Sequence, residues 1–132
     1  TKDEAGTLEA LADVRDAVVA YDYEGVAISM PGRIETATGI AHTDGAFRWV
    51  HEYPAAQKYG EVFGKACTIA NDGKCAASAE NWHGALEDVS NGCVLVLRTG
   101  IGGGIVIDNQ GWMGATGGAG ELSLFLTDHS AA

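Results

Sequence analysis

The chain has 132 residues, of which 46% are hydrophobic, and its 18 acidic against 8 basic side chains give a net charge of −10. This length and composition fit one ordinary folded domain and argue against a disordered segment. The acidic balance excludes a general nucleic-acid-binding surface, because phosphate backbones are bound by clustered Lys and Arg and the cations here are scattered.

Two further features of the composition bear on location and metals. The longest apolar run, from Cys93 to Leu97, is far shorter than the ~20 residues that span a bilayer. The three cysteines, Cys67, Cys75 and Cys93, have spacings that fit neither a paired disulfide framework nor a CxxC zinc motif. We therefore expect a soluble cytoplasmic protein that has no membrane partner and, within this chain, no metal site.

The first predicted elements are a helix and a strand. Apolar side chains between Leu8 and Tyr21 recur at helical spacing, which predicts an amphipathic helix with Thr7 as its N-cap. The apolar run Val26–Met30 predicts a buried strand that ends at the turn Pro31-Gly32.

A less regular segment follows. Residues 33–53 show little periodicity and predict an irregular chain, with a turn at Thr43-Asp44-Gly45 and a short strand around Phe47 and Trp49. Order resumes in residues 55–63, where a proline before the segment and a glycine after it predict a helix.

The next elements follow in α/β order. Residues 67–70 predict a second strand. Asn71-Asp72-Gly73 predicts a connection, which leads into a predicted helix rich in small side chains at residues 74–86. Residues 93–97 predict a third strand buried on both faces, since no polar residue alternates with the apolar ones. Strand, helix, strand, helix, strand is the order typical of the α/β class.

The last predicted elements are a hairpin and a lobe boundary. A glycine-rich turn at residues 99–104 joins the third strand to a fourth strand at residues 105–108, and Asn109-Gln110-Gly111 turns again. Because the long helix ends before the hairpin begins, we assign residues 1–90 to one lobe and residues 91–132 to the next.

Asn71 and Asp72 are the first candidate site residues. They stand between a buried strand and a helix, and proteins with an open α/β sheet bind ligands at the edge where strands end. Asp72 could act as a general base toward a substrate hydroxyl, and the Asn71 amide could hold a neighbouring hydroxyl. The same tripeptide, Asn-Asp-Gly, is also an ordinary turn and helix cap, so both interpretations stay open.

The glycine-rich turn is the second candidate. Exposed backbone N–H groups from Gly100 to Gly104, with the Thr99 hydroxyl, could cradle phosphate oxygens. The Walker pattern is absent and a strand follows the glycines, so the turn is not a P-loop. Hairpin turns also favour glycine, and a purely structural turn stays an open alternative.

Glu121 is the third candidate. It follows the glycine-rich stretch Gly117-Gly118-Ala119-Gly120, and its carboxylate could accept hydrogen bonds from the hydroxyls of a polyol. A solvated or capping glutamate is the alternative interpretation.

Taken together, these segments resemble the ROK family, which unites repressors, open reading frames and kinases. They are Ile28-Ser29-Met30-Pro31-Gly32, Asn71-Asp72 with the following Ala-rich helix, Thr99-Gly100-Ile101-Gly102-Gly103-Gly104 and Ala119-Gly120-Glu121. They occur in the family's order between about Gly25 and about Leu126. The resemblance implies part of an actin-like ATPase (ribonuclease H-like) fold, namely most of its small lobe and the start of its large lobe.

The resemblance also implies roles for individual residues. Asp72 matches the family's catalytic base, and the glutamate of the family's AGE motif matches Glu121. The positions that would contact the sugar are Asn71, Asp72, Glu121 and Gly45, and those that would contact the nucleotide's phosphates are Thr99, Gly100, Gly102 and Gly103.

The activity implied by the resemblance is ATP-dependent phosphorylation of a hexose or hexose derivative, with a gluco-configured sugar favoured. ATP and Mg²⁺ are the implied cofactors and a homodimer the implied assembly. The alternative is a sugar-sensing transcriptional regulator of the same family, whose DNA-binding module lies outside this chain. A non-catalytic binding domain is a third hypothesis.

The sequence also departs from the family's pattern. The DxGxT phosphate hairpin and the His-and-Cys zinc motif are absent, and Arg98 and Leu124 stand where the family has a small residue and a histidine. Zinc binding is therefore doubtful for this chain. We expect the chain to be a fragment that is inactive by itself, because half of the nucleotide's contacts would be missing.

Overall fold

The structure, a computed structural model, describes residues 3–43, 47–97 and 100–122. The helices in those ranges are α1 (Glu4–Val18), α2 (Ala55–Phe63) and α3 (Asp72–His83). The strands in those ranges are β1 (Gly25–Met30), β2 (Arg33–Glu35), β3 (Ile40–Thr43), β4 (His51–Tyr53), β5 (Ala66–Asn71), β6 (Gly92–Leu97), β7 (Ile101–Ile107) and β8 (Gln110–Trp112). The predicted α/β class is confirmed.

Contacts divide the chain into two compact units, Thr1–Asn71 and Asp72–Ala132. The first unit contains α1, α2 and strands β1 to β5, and the second contains α3 and strands β6 to β8. Helix α3 thus groups with the strands that follow it, whereas the sequence analysis assigns it to the lobe of residues 1–90. The lobe boundary at residue 90 stays a prediction.

The first helix starts and ends earlier than predicted. Asp3 is its N-cap, because the Asp3 side chain accepts a hydrogen bond from the Gly6 N–H at 2.9 Å. The prediction of Thr7 as the cap is wrong, since Thr7 lies inside α1 and its hydroxyl donates to the Asp3 carbonyl. The helix ends at Val18, so Tyr21 lies beyond it. Among the described residues, no helix is long and apolar enough to cross a membrane.

Strands β1 and β5 form a parallel sheet, paired from Gly25 with Ala66 to Met30 with Asn71. Both predicted strands are confirmed. Strand β1 is less buried than its apolar sequence predicts, because exposed and covered residues alternate along it and only the face with Ile28 and Met30 packs on the core.

A three-stranded antiparallel sheet, β2-β3-β4, lies within the segment predicted as irregular. That prediction is wrong, and so is the short strand around Phe47 and Trp49, which lie outside any strand between β3 and β4. Strands of three or four residues are too short to show a period in the sequence. Ile34 and Ala41, paired across β2 and β3, are buried, so this sheet contributes to the core.

The core of the first unit combines both of its sheets with α2. Its buried apolar residues include Met30, Ile34, Ala41, Val50, Ala55, Tyr59 and Ile69, and Leu8 and Leu11 of α1 pack against them. Helix α2 has the predicted bounds. It ends at Gly64, whose φ of 62° is a left-handed conformation that glycine adopts without steric cost.

In the second unit, α3 packs on the antiparallel sheet β6-β7-β8. The predicted hairpin is confirmed as β6 and β7, but its turn is shorter than predicted. Leu97 pairs with Ile101, so Gly102–Gly104 lie in strand β7 and not in a turn. The next turn is formed by Asp108 and Asn109, with φ angles of 51° and 59°, and the residues that follow it form β8.

Two other predictions for the second unit are wrong. Helix α3 begins at Asp72 and ends at His83, whereas the sequence predicts residues 74–86. Strand β6 is not buried on both faces: covered and exposed residues alternate, and Leu95 and Leu97 are 57% and 72% exposed. The strand shows a period of two in burial because α3 packs against it from one side.

Glycines allow α3 to approach β7 closely. A Cβ at Gly104 would lie 2.5 Å from the Cβ of Ala77 and 2.9 Å from the Gly73 carbonyl oxygen. A Cβ at Gly73 would lie 2.5 Å from the Gly103 carbonyl oxygen. These distances are shorter than van der Waals contact, so the two backbones pack with no side chain between them.

A histidine links the strands of the sheet β2-β3-β4. His42 Nδ1 lies 2.8 and 2.9 Å from the two carboxylate oxygens of Glu52, and His42 Nε2 lies 3.5 Å from Glu35 Oε2. The hydrogen bond with His42 holds the pKa of Glu52 below its usual value, and the charges of His42, His51 and Arg33 act in the same direction. These side chains join all three strands electrostatically.

Replacing Gly104 with alanine should destabilise the second unit, because the new methyl group would overlap Ala77 and the Gly73 carbonyl. We expect Gly104→Ala to lower the free energy of unfolding by about 1–3 kcal/mol, the usual effect of overpacking. Urea unfolding of the complete gene product that carries this chain would measure it. Gly102→Ala is the matched control on the same strand, because its added Cβ would have its nearest neighbour at 3.9 Å. An equal loss in both variants would contradict the close packing.

Glu52 should make stability depend on pH. Since its pKa is lower in the folded chain than its ordinary 4.5, Glu52 stabilises the fold above that pH, and the stabilisation is lost as the pH falls through the lowered value. We expect Glu52→Gln to lower the melting temperature at about pH 6.5 and to lower it less at about pH 2.5. Glu9→Gln, at an exposed position of α1, is the control. A loss of the same size at both pH values would show that charge is not involved.

Candidate active site

Asp72 is the first residue of α3 and follows Asn71, the last residue of β5. Its carboxylate is half-buried, and Oδ1 accepts a hydrogen bond from the Gly73 N–H at 3.0 Å. The N-terminus of a helix carries partial positive charge, which stabilises a carboxylate there. The sequence analysis predicts a connection at residues 71–73, but no loop lies there. Strand β5 ends at Asn71 and α3 begins at Asp72, so the backbone of Asp72 has the conformation of a helix start.

Asn71 has a structural partner in the first unit. It is 5% exposed, and its Nδ2 donates to the Gly32 carbonyl at 2.9 Å. This bond ties the end of β5 to the turn after β1, where Gly32 has a left-handed φ of 97°. The predicted contact between Asn71 and a sugar stays a prediction.

The predicted phosphate contacts differ in their surroundings. Gly100 lies exposed in the turn before β7, and a Cβ on it would have no neighbour within 4 Å. Gly102 is half-buried in the strand. Gly103 is buried, and a Cβ on it would lie 2.5 Å from the Val94 carbonyl oxygen and 3.0 Å from Leu122 Cδ1. Gly103 therefore has a packing role, whatever contact it makes with a phosphate.

Glu121 lies at the end of an irregular segment, residues 113–122, that packs onto β7. Gly120, with a left-handed φ of 81°, brings the segment against the strand: a Cβ on it would lie 3.0 Å from the Gly103 carbonyl oxygen. Glu121 itself is half-buried. The helix that begins at Asp72 and the segment that carries Glu121 thus pack on the same glycine-rich strand.

The sequence analysis does not single out Lys74, which also belongs to this group. Lys74 is 4% exposed and lies on the buried face of α3 with Gly73 and Ala77. Its Nζ donates a hydrogen bond to the Gly117 carbonyl. Burial lowers the pKa of Lys74, and the charge of Glu121 acts in the opposite direction. The signal in the sequence is the position of Lys74 three residues before Ala77, which places this lysine on a helix face of small residues.

Some predicted positions cannot be placed. Gly45, Arg98, Thr99 and Leu124 lie outside the described residues, and their roles stay predictions. In the part of the chain that the structure describes, no group of three or more His, Cys, Asp or Glu side chains could hold a metal ion.

Relatives of known sequence match most of this chain. A family model described as the ROK family matches residues 2–129. The beta-glucoside kinase of Klebsiella pneumoniae is 36% identical over 105 residues, which cover 80% of this chain and 35% of the kinase. A putative xylose repressor of Caldicellulosiruptor sp. is 32% identical over 104 residues, which cover 79% of this chain and 26% of the repressor. The chain thus spans about a third of the length of the kinase and less of the repressor.

A solved structure supports the same relationship. The ROK family glucokinase from Streptomyces griseus, in complex with glucose and AMPPNP, matches with a TM-score of 0.88 and 26% identity over 97% of this chain and 41% of the glucokinase. The fold and the family expected from the motifs are both confirmed. This chain belongs to the ROK family and has part of the actin-like ATPase fold of its sugar kinases.

Proposed function

We propose that this chain is part of a sugar kinase, in which it supplies the general base for transfer of the γ-phosphate of ATP to a hexose. The observation that carries the proposal is the shared packing of α3 and of residues 113–122 on strand β7. This packing supports the proposal because it places Asp72, at the start of α3, and the segment with Glu121 in one compact unit. Close contact with β7 restricts the backbone of both.

In the proposed reaction, Asp72 accepts the proton of the attacking hexose hydroxyl as that oxygen bonds to the γ-phosphorus and the bond to ADP breaks. A half-buried carboxylate on the first residue of a helix suits this role, because it is both fixed and accessible. Glu121 accepts hydrogen bonds from hydroxyls elsewhere on the ring, and Asn71 and Gly45 are further sugar contacts. Holding the acceptor in this way supplies much of the rate enhancement.

The proposal assigns the phosphates of ATP to the turn between β6 and β7. Thr99 and Gly100 donate hydrogen bonds there, and the open space around Gly100 supports this assignment. Phosphate contacts are less well supported for Gly102 and Gly103, because these two glycines lie within strand β7 and not in the turn. Mg²⁺ would accompany the nucleotide and would neutralise the negative charge that develops on its phosphates.

The proposal extends to the substrate and the assembly. The similarity to a beta-glucoside kinase, and to a glucokinase solved with glucose, supports a gluco-configured hexose. The net charge of −10 argues against nucleic-acid binding through this segment. A homodimer in the cytoplasm is proposed from the family resemblance.

A regulator that senses sugar is the second candidate function. It is supported by the 32% identity to a putative xylose repressor, which is close to the identity with the kinase. In this case the same residues would bind a sugar without transferring phosphate to it.

Removing the carboxylate of Asp72 should abolish most of the activity. We expect Asp72→Asn in the complete gene product to lower the turnover of hexose phosphorylation by about 10²–10⁴, the usual effect of removing a general base. ADP release in a coupled assay would measure it. Asp88→Asn, at an exposed position, is the control and should keep wild-type turnover. Wild-type turnover in Asp72→Asn would remove this residue from the mechanism.

Calorimetry should separate the candidate functions. For a kinase we expect the complete gene product to bind both glucose and AMPPNP, because acceptor and donor must be held together. Binding of sugars without AMPPNP would favour the regulator. Binding of neither compound, nor of other hexoses, would favour a non-catalytic domain.

A further inference from the structure

Lys74 is a cation buried in an acidic chain. The chain carries a net charge of −10, and Lys74 is 4% exposed. Burial of an ammonium group is costly unless hydrogen bonds and opposite charge compensate for it. The partners of Lys74 therefore indicate what its charge does in the fold.

Two partners of Lys74 lie in residues 113–122. The Lys74 Nζ donates to the Gly117 carbonyl, and the charge of Glu121 acts favourably on the ammonium. Lys74 itself lies in the first turn of α3, two residues after Asp72. One side chain thus connects the start of α3 to the segment that carries the second carboxylate of the proposed site.

Backbone hydrogen bonds link residues within this segment. The Ala119 N–H donates to the Met113 carbonyl at 3.2 Å, and the Glu121 N–H donates to the Gly118 carbonyl at 3.3 Å. Its glycines at positions 114, 117 and 120 all have left-handed φ angles, of 69°, 74° and 81°. These bonds shape the segment, while packing of Gly120 on β7 and the bond from Lys74 set its position.

We propose that Lys74 is a positioning residue for hexose binding: its ammonium holds residues 117–121 to the first turn of α3 and so sets the place of the Glu121 carboxylate. This inference rests on the proposed function, since it takes Glu121 as a sugar contact. Without the cation, the segment loses both its hydrogen bond at Gly117 and the opposite charge near Glu121. Hexose binding should then weaken more than nucleotide binding.

Lys74→Met in the complete gene product tests this inference, because methionine keeps much of the length of the side chain without its charge. We expect the KM for glucose to rise at least about tenfold and the KM for ATP to change less than about twofold. Lys58→Met is the matched control: Lys58 is partly exposed in α2 and pairs with Glu61. It should keep both wild-type KM values.

A double-mutant cycle separates positioning from a general structural role. If Lys74 acts through Glu121, Lys74→Met should raise the KM for glucose in a Glu121→Gln background by less than about threefold. Lys74→Arg, which keeps a cation, should recover most of the affinity for glucose. Circular dichroism checks folding, and Lys74→Gln takes the place of Lys74→Met if the methionine variant does not fold.

The possible outcomes distinguish a failure of the role of Lys74 from a failure of the proposed function. An unchanged KM for glucose in Lys74→Met, or an equal rise with and without Glu121→Gln, overturns the inference and leaves the kinase proposal intact. A wild-type protein that neither binds nor phosphorylates glucose or other hexoses overturns the proposed function, and the role of Lys74 with it.

Discussion

Close contact between backbones around strand β7 is the constraint on which the second unit depends. Gly73 in α3, Gly103 and Gly104 in the strand, and Gly120 in the following segment all lie where a Cβ would overlap a neighbouring atom. Packed interiors do not deform continuously, so these contacts allow little adjustment. Backbone packing therefore positions the start of α3, and it positions residues 113–122 together with the hydrogen bond from Lys74 to Gly117.

Much of the fold could be predicted where the sequence gives a long or clearly bounded signal. Helix α2 lies between a proline and a glycine, and strands β1 and β5 are mostly apolar runs, so their bounds are close to the predicted ones. The sheet β2-β3-β4 could not be predicted, because its strands have three or four residues and their pairing depends on contacts distant in sequence. The sequence predicts a turn for the glycines of β7 because glycine is frequent in turns, whereas in the structure these glycines make room for helix α3.

For the candidate site, the sequence analysis singles out Asp72 and Glu121 because a carboxylate next to turn residues suggests chemistry, and the family resemblance implies a role for each. Those roles stay predictions. Lys74 could not be found in that way: its importance comes from burial and from a bond to Gly117, both of which are tertiary properties. For Asn71 the structure adds a contact that the motif does not suggest, since its amide donates a hydrogen bond to the Gly32 carbonyl.

Asp72 and Lys74 share a single helical turn, and this arrangement has a consequence for how such proteins diverge. In the proposed kinase, drift in residues 113–122 changes the contacts of Glu121 with the sugar, while the helix that carries Asp72 stays unchanged. Selection for a new sugar would then act mainly on that segment. Descendants that have lost turnover could keep the same helix as a scaffold, in line with the similarity of this chain to both a kinase and a repressor.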